Sequence, residues 1–121
     1  MEWKLTDDRP IWMQLSEQMA RRIVAGQYPP GSKLPAVREL AADAGVNPNT
    51  MQRALAQLEN DGLAVSNRTA GRMVTENIAA IEAVRRNMAR QLAEEFLSAI
   101  QDLGYTRDDV MALWKEEEHH G

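Results

Sequence analysis

Two runs decide the fold of this chain: Leu34-Pro35-Ala36-Val37-Arg38-Glu39-Leu40-Ala41 and, after Gly45, Val46-Asn47-Pro48-Asn49-Thr50-Met51-Gln52-Arg53-Ala54-Leu55. Each run is typical of a helix. In the second, Asn47 suits the N-cap because its side-chain oxygen can accept a backbone amide, and Pro48 follows where a missing N–H is tolerated. We predict that this helix runs from Pro48 to about Asn60 and ends at Asp61-Gly62. Gly45 suits the tight turn of a helix-turn-helix.

The second helix has an apolar face and a polar face. At about 100° per residue, the apolar residues share one sector: Met51, Ala54, Leu55 and Leu58. The opposite sector carries Asn49, Gln52, Arg53 and Ala56. Asparagine, glutamine and arginine side chains make the hydrogen bonds that distinguish adenine and guanine edges in the major groove. The two runs therefore predict a DNA-binding helix-turn-helix.

Three motifs occur in order along this region: Pro35-x-x-Arg38-Glu39-Leu40-Ala41, the run from Val46 to Leu55, and Leu58-Glu59-x-Asp61-Gly62-Leu63. Over about residues 8–76 they resemble the winged-helix domain of GntR-type bacterial transcription regulators. The string Val-Asn-Pro-Asn-Thr-x-Gln at residues 46–52 resembles the short YtrA-type branch of that family. The resemblance implies a mainly α fold with a small β-wing. A winged helix-turn-helix domain over residues 1–76 would precede a two-helix C-terminal dimerisation region over residues 77–121.

The wing is predicted from two strand-like runs, Leu63-Ala64-Val65-Ser66 and Arg72-Met73-Val74-Thr75, which flank a turn containing Gly71. Glycine can adopt the positive φ that such a connection needs. We expect Leu63 and Val65 to alternate inward. Wings of the resembled family usually read Arg-x-Gly-x-Gly-Thr-Phe, whereas Thr69 here replaces the first glycine and Arg72-Met73 replace Thr-Phe.

The predicted DNA contacts come from the helix-turn-helix and from the wing. Base edges are expected for the side chains opposite Met51, and phosphate contacts for the others. The resemblance assigns Arg38 to DNA, and pairing of Arg38 with Glu39 or Asp43 stays open as an alternative. The predicted base contacts are Asn49, Gln52 and Arg53, the positioning residues are Arg38, Asn47 and Thr50, and the wing and its flank supply Lys33, Arg68, Thr69, Gly71 and Arg72.

A helix is also predicted before the motif and a short strand after it. The first helix runs from Pro10 to about Ala25, and its apolar stripe is interpreted as core: Ile11, Trp12, Leu15, Met19 and Ile23. Lys33-Leu34 is predicted as a short strand. Trp3 and Leu5 either pair as an edge strand or cover the core.

The tail is predicted to hold two protomers together. A long amphipathic helix from Ile78 carries an apolar stripe: Ile81, Val84, Met88, Leu92, Phe96, Ile100 and Leu103. After Gly104, Thr106 and Asp109 resemble a capping box for a last helix, Arg107 to about Glu117, which shows Val110, Leu113 and Trp114. One short helix cannot cover so long a stripe, so we expect these residues to form a homodimer interface. Folding of the long helix onto its own winged domain stays open as the alternative.

Composition and charge restrict the possible functions. The 121 residues include no cysteine, and the two histidines are terminal. No glycine-rich phosphate loop or convergent acid–base set occurs, so we expect no enzyme, no cofactor and no metal. The Glu116–His120 run could bind a divalent cation, but a charged chain end is the preferred interpretation. Without a membrane span or a signal peptide, the protein is expected in the bacterial cytoplasm, away from membranes.

The net charge of −4 is unevenly distributed along the chain. Residues 1–75 hold 9 Lys/Arg and 8 Asp/Glu, which gives +1, and residues 76–121 hold 5 and 10, which gives −5. A charge of +1 is modest for a DNA-binding domain, although a dimer doubles the phosphate contacts.

We therefore predict a sequence-specific DNA-binding transcription regulator, by resemblance a repressor, that binds a palindromic double-stranded operator as a homodimer. The alternative is a winged-helix module that docks another protein. The outward helix face disfavours it, because protein interfaces are usually anchored by aromatic or aliphatic side chains. The operator, the regulated genes and any small-molecule effector are unknown from the sequence. Two helices after residue 76 leave little room for an effector pocket.

Overall fold

The computed structural model describes residues 2–120, with side chains through Glu118. Met1, Gly121 and the side chains of His119 and His120 lie outside this description, and so does the metal site considered for the chain end. The chain forms two compact units, one ending at Arg85 and the other beginning at Arg86. The functional division into residues 1–76 and 77–121 stays a prediction.

The described chain contains five helices and one two-stranded antiparallel sheet. In chain order they are α1 (Ile11–Val24), α2 (Val37–Ala44), α3 (Pro48–Asn60), β1 (Ala64–Asn67), β2 (Gly71–Val74), α4 (Ile78–Asp102) and α5 (Arg107–His120). The predicted fold class, mainly α with a small wing and two C-terminal helices, is confirmed. The first unit holds the elements from α1 to the start of α4, and the second holds the rest of α4 with α5.

The core of the first unit forms where α1 and α2 pack against α3. Its buried side chains are Leu15, Met19 and Ile23 of α1, Leu40 and Ala41 of α2, and Met51, Ala54, Leu55 and Leu58 of α3. Burial of each large apolar side chain contributes about 1.5–3 kcal/mol, so these stripes hold the three helices together. The predicted stripe of α1 extends to Ile11 and Trp12, but both are only half-buried.

The ends of the two motif helices follow from local signals. Ala36 precedes α2 and provides no side-chain cap, because an alanine side chain has no hydrogen-bond acceptor. Gly45 ends α2 in the left-handed conformation, with φ of 70°, and lets the Val46 N–H reach the Ala41 carbonyl at 3.0 Å. Glycine adopts this conformation without the steric cost that a Cβ would add. The next helix can therefore start at Pro48, after only two intervening residues.

The N-terminal segment covers α1 without forming a strand, which decides between the two alternatives for Trp3 and Leu5. Residues 2–10 contain no strand, and both of those side chains are half-buried. Two glutamines of α1 pair with the segment's backbone in place of a neighbouring strand. Gln14 bonds the N–H and carbonyl of Thr6, and Gln18 bonds those of Lys4, at 2.8–3.0 Å.

The wing differs from its prediction at Val65. That side chain is 49% exposed, whereas Leu63 and Ala64 are buried, so the expected inward direction of Val65 is wrong. The reason is that Leu63 lies before β1, where its N–H bonds the Leu58 carbonyl at 2.9 Å. Strand alternation starts at Ala64, paired with Val74, and places Val65 outward. The predicted strand at Lys33 is present as a single bridge to Met73.

In the second unit, α5 begins with the predicted capping box. The Thr106 N–H donates to Asp109 Oδ2 at 2.8 Å, and the Asp109 N–H donates to Thr106 Oγ1 at 3.2 Å. Val110 is buried, and the rings of Phe96 and Trp114 stack with centroids 5.5 Å apart. The helix continues to His120, beyond the predicted end near Glu117.

Candidate nucleic-acid interface

The candidate interface is built on α3, whose predicted limits are confirmed. Asn47 is the N-cap, and its Oδ1 accepts the Asn49 N–H at 2.8 Å. Pro48 occupies the first helical position. The amides at a helix start form the positive end of the helix dipole, which suits contact with phosphate.

The outward face of α3 is polar and accessible. The predicted base-contacting residues Asn49, Gln52 and Arg53 are exposed, and Thr50 is half-buried beside them. Met51 and Leu55, on the opposite face, are buried against the core. Packing therefore fixes the helix rotation and leaves the three polar side chains facing solvent.

Arg53 contacts α1 through an aromatic ring. Its guanidinium carbon lies 4.2 Å from the centroid of the Trp12 ring, within the range of a cation–π interaction. Trp12 was interpreted from the sequence as core alone. Its place at the exposed start of the α1 stripe is consistent with a half-buried ring, but nothing in the sequence indicates its arginine partner.

Arg38 is exposed in the first turn of α2. Within the described residues it forms no ion pair with either Glu39 or Asp43, so the alternative considered for it finds no support. Asp43 instead accepts a hydrogen bond at 2.8 Å from the indole N–H of Trp3, which lowers the pKa of the Asp43 carboxyl. Arg38 thus remains available for phosphate.

Asn67 organises the wing tip. Its Oδ1 accepts the N–H groups of Thr69 and Ala70 and the Thr69 hydroxyl, all at 3.0 Å. Gly71 closes the turn with φ of 86°, where another residue would be strained. The side-chain bonds of Asn67 hold the turn in shape although Thr69 replaces a glycine. Arg68 and Thr69 are exposed at this tip. Lys33, which forms the bridge to Met73 of β2, is also exposed.

Arg72 points back toward α3. Its Nε donates to Glu59 Oε1 at 2.8 Å, and only 14% of the Arg72 side chain is exposed. Ser66 also donates its hydroxyl to Glu59 Oε1. The hydrogen bonds from Ser66 and Arg72 lower the pKa of Glu59. Both Ser66 and Glu59 were missed from the sequence, because no periodic pattern links a helix end to a particular strand residue.

The predicted dimer residues differ in exposure. Ile81 and Val110 are buried within the chain, and Val84, Met88 and Ile100 are half-buried. The other predicted residues are exposed: Leu92, Phe96, Leu103, Leu113 and Trp114. Among the described residues, a large part of this apolar set is thus exposed.

Among the residues that the structure describes, every helix lacks either the length or the apolar character of a membrane span. No group of three or more histidine, aspartate or glutamate side chains among the described residues lies close enough to hold a metal ion.

A known protein family matches the part of the chain that contains the candidate interface. Residues 13–74 match the family described as "Bacterial regulatory proteins, gntR family". These residues extend from α1 to the last residue of the wing, so the match covers the candidate interface.

Individual relatives extend the similarity to the tail. The chain is 31% identical over 111 residues to the uncharacterized HTH-type transcriptional regulator YhcF of Bacillus subtilis, covering 92% of each chain. It is 41% identical over 68 residues to the HTH-type transcriptional repressor YtrA of Bacillus subtilis, covering 56% of this chain and 52% of that one. A solved structure of a GntR family transcriptional regulator from Listeria monocytogenes is 38% identical, with a TM-score of 0.85, and covers 93% of this chain and 98% of that one.

Proposed function

This chain belongs to the gntR family of bacterial regulatory proteins, and from that premise we propose that it represses transcription as a homodimer on a palindromic DNA operator. Membership of this family, and of its YtrA-type branch, makes it a transcription regulator with a DNA-binding domain and not an enzyme. The repressor role, the operator symmetry and the dimer are the proposed parts.

The observation that carries the proposal is the polar outward face at the start of α3. Asn49, Gln52 and Arg53 are exposed together on a helix whose other face is fixed by the core. A helix presented in this way can enter the major groove with its first turns against base edges. These side-chain types offer paired hydrogen bonds to adenine or guanine.

Phosphate contacts would surround this helix. Arg38 and Arg68 are exposed cations on α2 and the wing tip, and Lys33 is exposed beside the wing. Asn47 and Thr50 lie at the helix start, where backbone amides favour an anion. We assign Thr69 and Gly71 to the approach of the wing tip. Among these residues, Arg72 is the least suited to a phosphate contact, because it already forms an ion pair with Glu59.

The dimer is supported by the exposed part of the tail. Leu92 is 48% exposed on α4, Leu103 is 72% exposed directly after the last residue of that helix, and Trp114 adds a half-exposed indole. Soluble monomers rarely leave such a contiguous apolar surface in water. A two-fold pairing would cover it with its own copy and would present two copies of α3. The repressor assignment rests on similarity to the YtrA repressor.

Selection of random DNA duplexes on the purified full-length protein tests the proposal. Two-fold pairing predicts inverted repeats with half-site centres about 34–36 Å apart, one turn of duplex. With about three basic contacts from each protomer, affinity should fall about a thousandfold between about 50 and 200 mM salt. Enrichment of single half-sites, or a flat salt profile, would contradict the dimeric operator complex. Addition of the selected operator upstream of a reporter then separates repression from activation.

A further inference from the structure

We infer that Trp12 is a positioning residue for DNA recognition: its indole orders the Arg53 guanidinium on the outward face of α3. The inference rests on the proposed contact between Arg53 and a base, and it adds a residue of α1 to a site otherwise drawn from the motif helices and the wing. Trp12 itself need not touch DNA.

The geometry joins two helices through one side-chain pair. The guanidinium carbon of Arg53 lies 4.2 Å from the centre of the Trp12 ring. Trp12 is half-buried in the first turn of α1, and Arg53 is exposed on α3. Since α1 and α3 pack directly on each other, the ring is held in place by the core beneath it. A long, flexible side chain therefore rests on a rigid support.

This support distinguishes Arg53 from its neighbours. Within the described residues, no hydrogen bond or ring contact holds the side chain of Gln52, and the bond at Asn49 uses its backbone N–H. An unsupported long side chain loses rotamer freedom when it binds, which weakens binding. An arginine already held against a ring loses less.

The contact also leaves the arginine able to bind. A guanidinium that lies over an aromatic face uses its charge and its flat surface for that contact. Its N–H donors lie in the guanidinium plane, and none of those of Arg53 makes a hydrogen bond among the described residues. Two parallel N–H groups match the O6 and N7 acceptors of guanine. The pair thus suits recognition of a guanine in each half-site.

A coupling experiment separates positioning from packing. Trp12→Leu and Arg53→Ala are made singly and together in the full chain, and affinity is measured for an operator selected by the wild-type protein. We expect Trp12→Leu to weaken binding about two- to fivefold when Arg53 is present, the equivalent of about 0.5–1 kcal/mol. With Ala at position 53, the same change should have no further effect. Equal losses in both backgrounds would overturn the inference and leave Trp12 a packing residue.

The operator guanine supplies a second readout. Replacement of the guanine in each half-site should weaken wild-type binding strongly, Trp12→Leu less strongly, and Arg53→Ala hardly at all. If Arg53→Ala binds the operator as tightly as the wild-type protein, the base contact itself is wrong. If Arg53→Ala weakens binding but Trp12→Leu does not, only the positioning role fails.

Two controls guard against a simple loss of structure. Trp12→Phe keeps a ring face with a weaker cation–π interaction and should lie between the wild-type protein and Trp12→Leu. Circular dichroism and thermal unfolding identify any variant that does not fold, and Trp12→Phe then carries the test. The matched control is Trp3→Leu, which removes a second arginine–indole contact, in which the Arg22 guanidinium carbon lies 3.9 Å from the Trp3 ring centre, together with the Trp3–Asp43 hydrogen bond. Its effect on affinity should be the same with and without Arg53.

Discussion

At the scale of single residues, the start of α3 combines a structural and a proposed recognition role in Asn47. Its Oδ1 caps the helix through the Asn49 N–H. The same position is proposed to lie at phosphate. The capping oxygen and the net charge of the side chain can be altered separately, because aspartate caps a helix about as well as asparagine.

We expect Asn47→Asp to keep the stability of the domain while weakening DNA binding. The cap is retained, but a negative charge would now face phosphate. Asn47→Ala should instead lower the free energy of unfolding by about 1 kcal/mol, since the cap is lost. Urea denaturation and operator titration at low salt measure the two effects. Unchanged affinity of Asn47→Asp would mean that Asn47 lies away from the DNA backbone.

Gln52 and Arg38 are expected to differ in how their loss affects different DNA sequences. Gln52→Ala should weaken the binding free energy by about 1–3 kcal/mol, and it should relax the base preference at one operator position. Arg38→Ala should weaken all duplexes similarly and reduce the salt dependence, because a phosphate contact carries no sequence information. Titration of operator variants measures both, with Gln91→Ala on the exposed surface of α4 as control. The proposed orientation of α3 would be refuted by wild-type specificity in Gln52→Ala.

At the scale of elements, Glu59 links α3 to the wing. It accepts from Ser66 of β1 and from Arg72 of β2, so both wing strands are held to the end of α3. The Glu59 side chain is 30% exposed, so this ion pair is partly shielded from solvent. We therefore assign Arg72 first to holding the wing in place.

This link predicts an acid-sensitive contribution to stability. The pKa of folded Glu59 lies below its ordinary value of 4.5, so the carboxylate stabilises the fold above that pH. The contribution is lost as the pH falls through the lower, folded pKa. Glu59→Gln should therefore destabilise the domain at pH 7 by about 1 kcal/mol or less, and the difference from wild type should shrink at acidic pH.

Thermal unfolding of both proteins from pH 7 downward measures this difference, with Glu94→Gln on the exposed surface of α4 as the charge control. A difference that stays constant across the acid range would show that the Glu59 charge is not responsible.

At the scale of the whole molecule, several large apolar side chains of the described tail residues are exposed. α4 has 25 residues and is about 37 Å long. Within the second unit, the contacts of α5 bury Val110 and stack Phe96 on Trp114, but Leu92 and Leu103 stay exposed. A second copy is the cover that we propose.

Leu92→Glu should split the dimer and weaken operator binding. The new charge would lie in the proposed interface, where burial of an unpaired carboxylate is costly. Leu92 is chosen because Phe96 also stacks within the chain. Light scattering should give a monomer, and loss of the paired half-site contacts should reduce affinity at least tenfold. Gln101→Glu places the same residue on the opposite face of α4 and should stay dimeric. A wild-type protein that is monomeric at micromolar concentration, yet binds its operator tightly, would refute the dimer.

Several parts of this molecule could be predicted from short stretches of sequence. Asn47, Pro48, Asp61 and Gly62 placed both ends of α3, because capping and positive φ depend on a few adjacent residues. Helical spacing likewise predicted which side chains of α3 are buried. The prediction failed at Val65, where strand alternation depends on the residue at which pairing begins. Strand pairing joins two separate segments, so neither segment alone indicates the residue at which pairing begins.

The sequence by itself therefore determined the presence of the helices and, for α3, its limits, its buried stripe and its polar face, since each follows from residues within about one helical turn. Only the tertiary structure decided which side chains meet across elements: Arg53 with Trp12, and Arg72 with Glu59. Helical periodicity indicates that a face is apolar or polar, but not which element packs beside it. That choice depends on how α1, the wing and α3 pack together, and it determines which side chain each of these two arginines contacts.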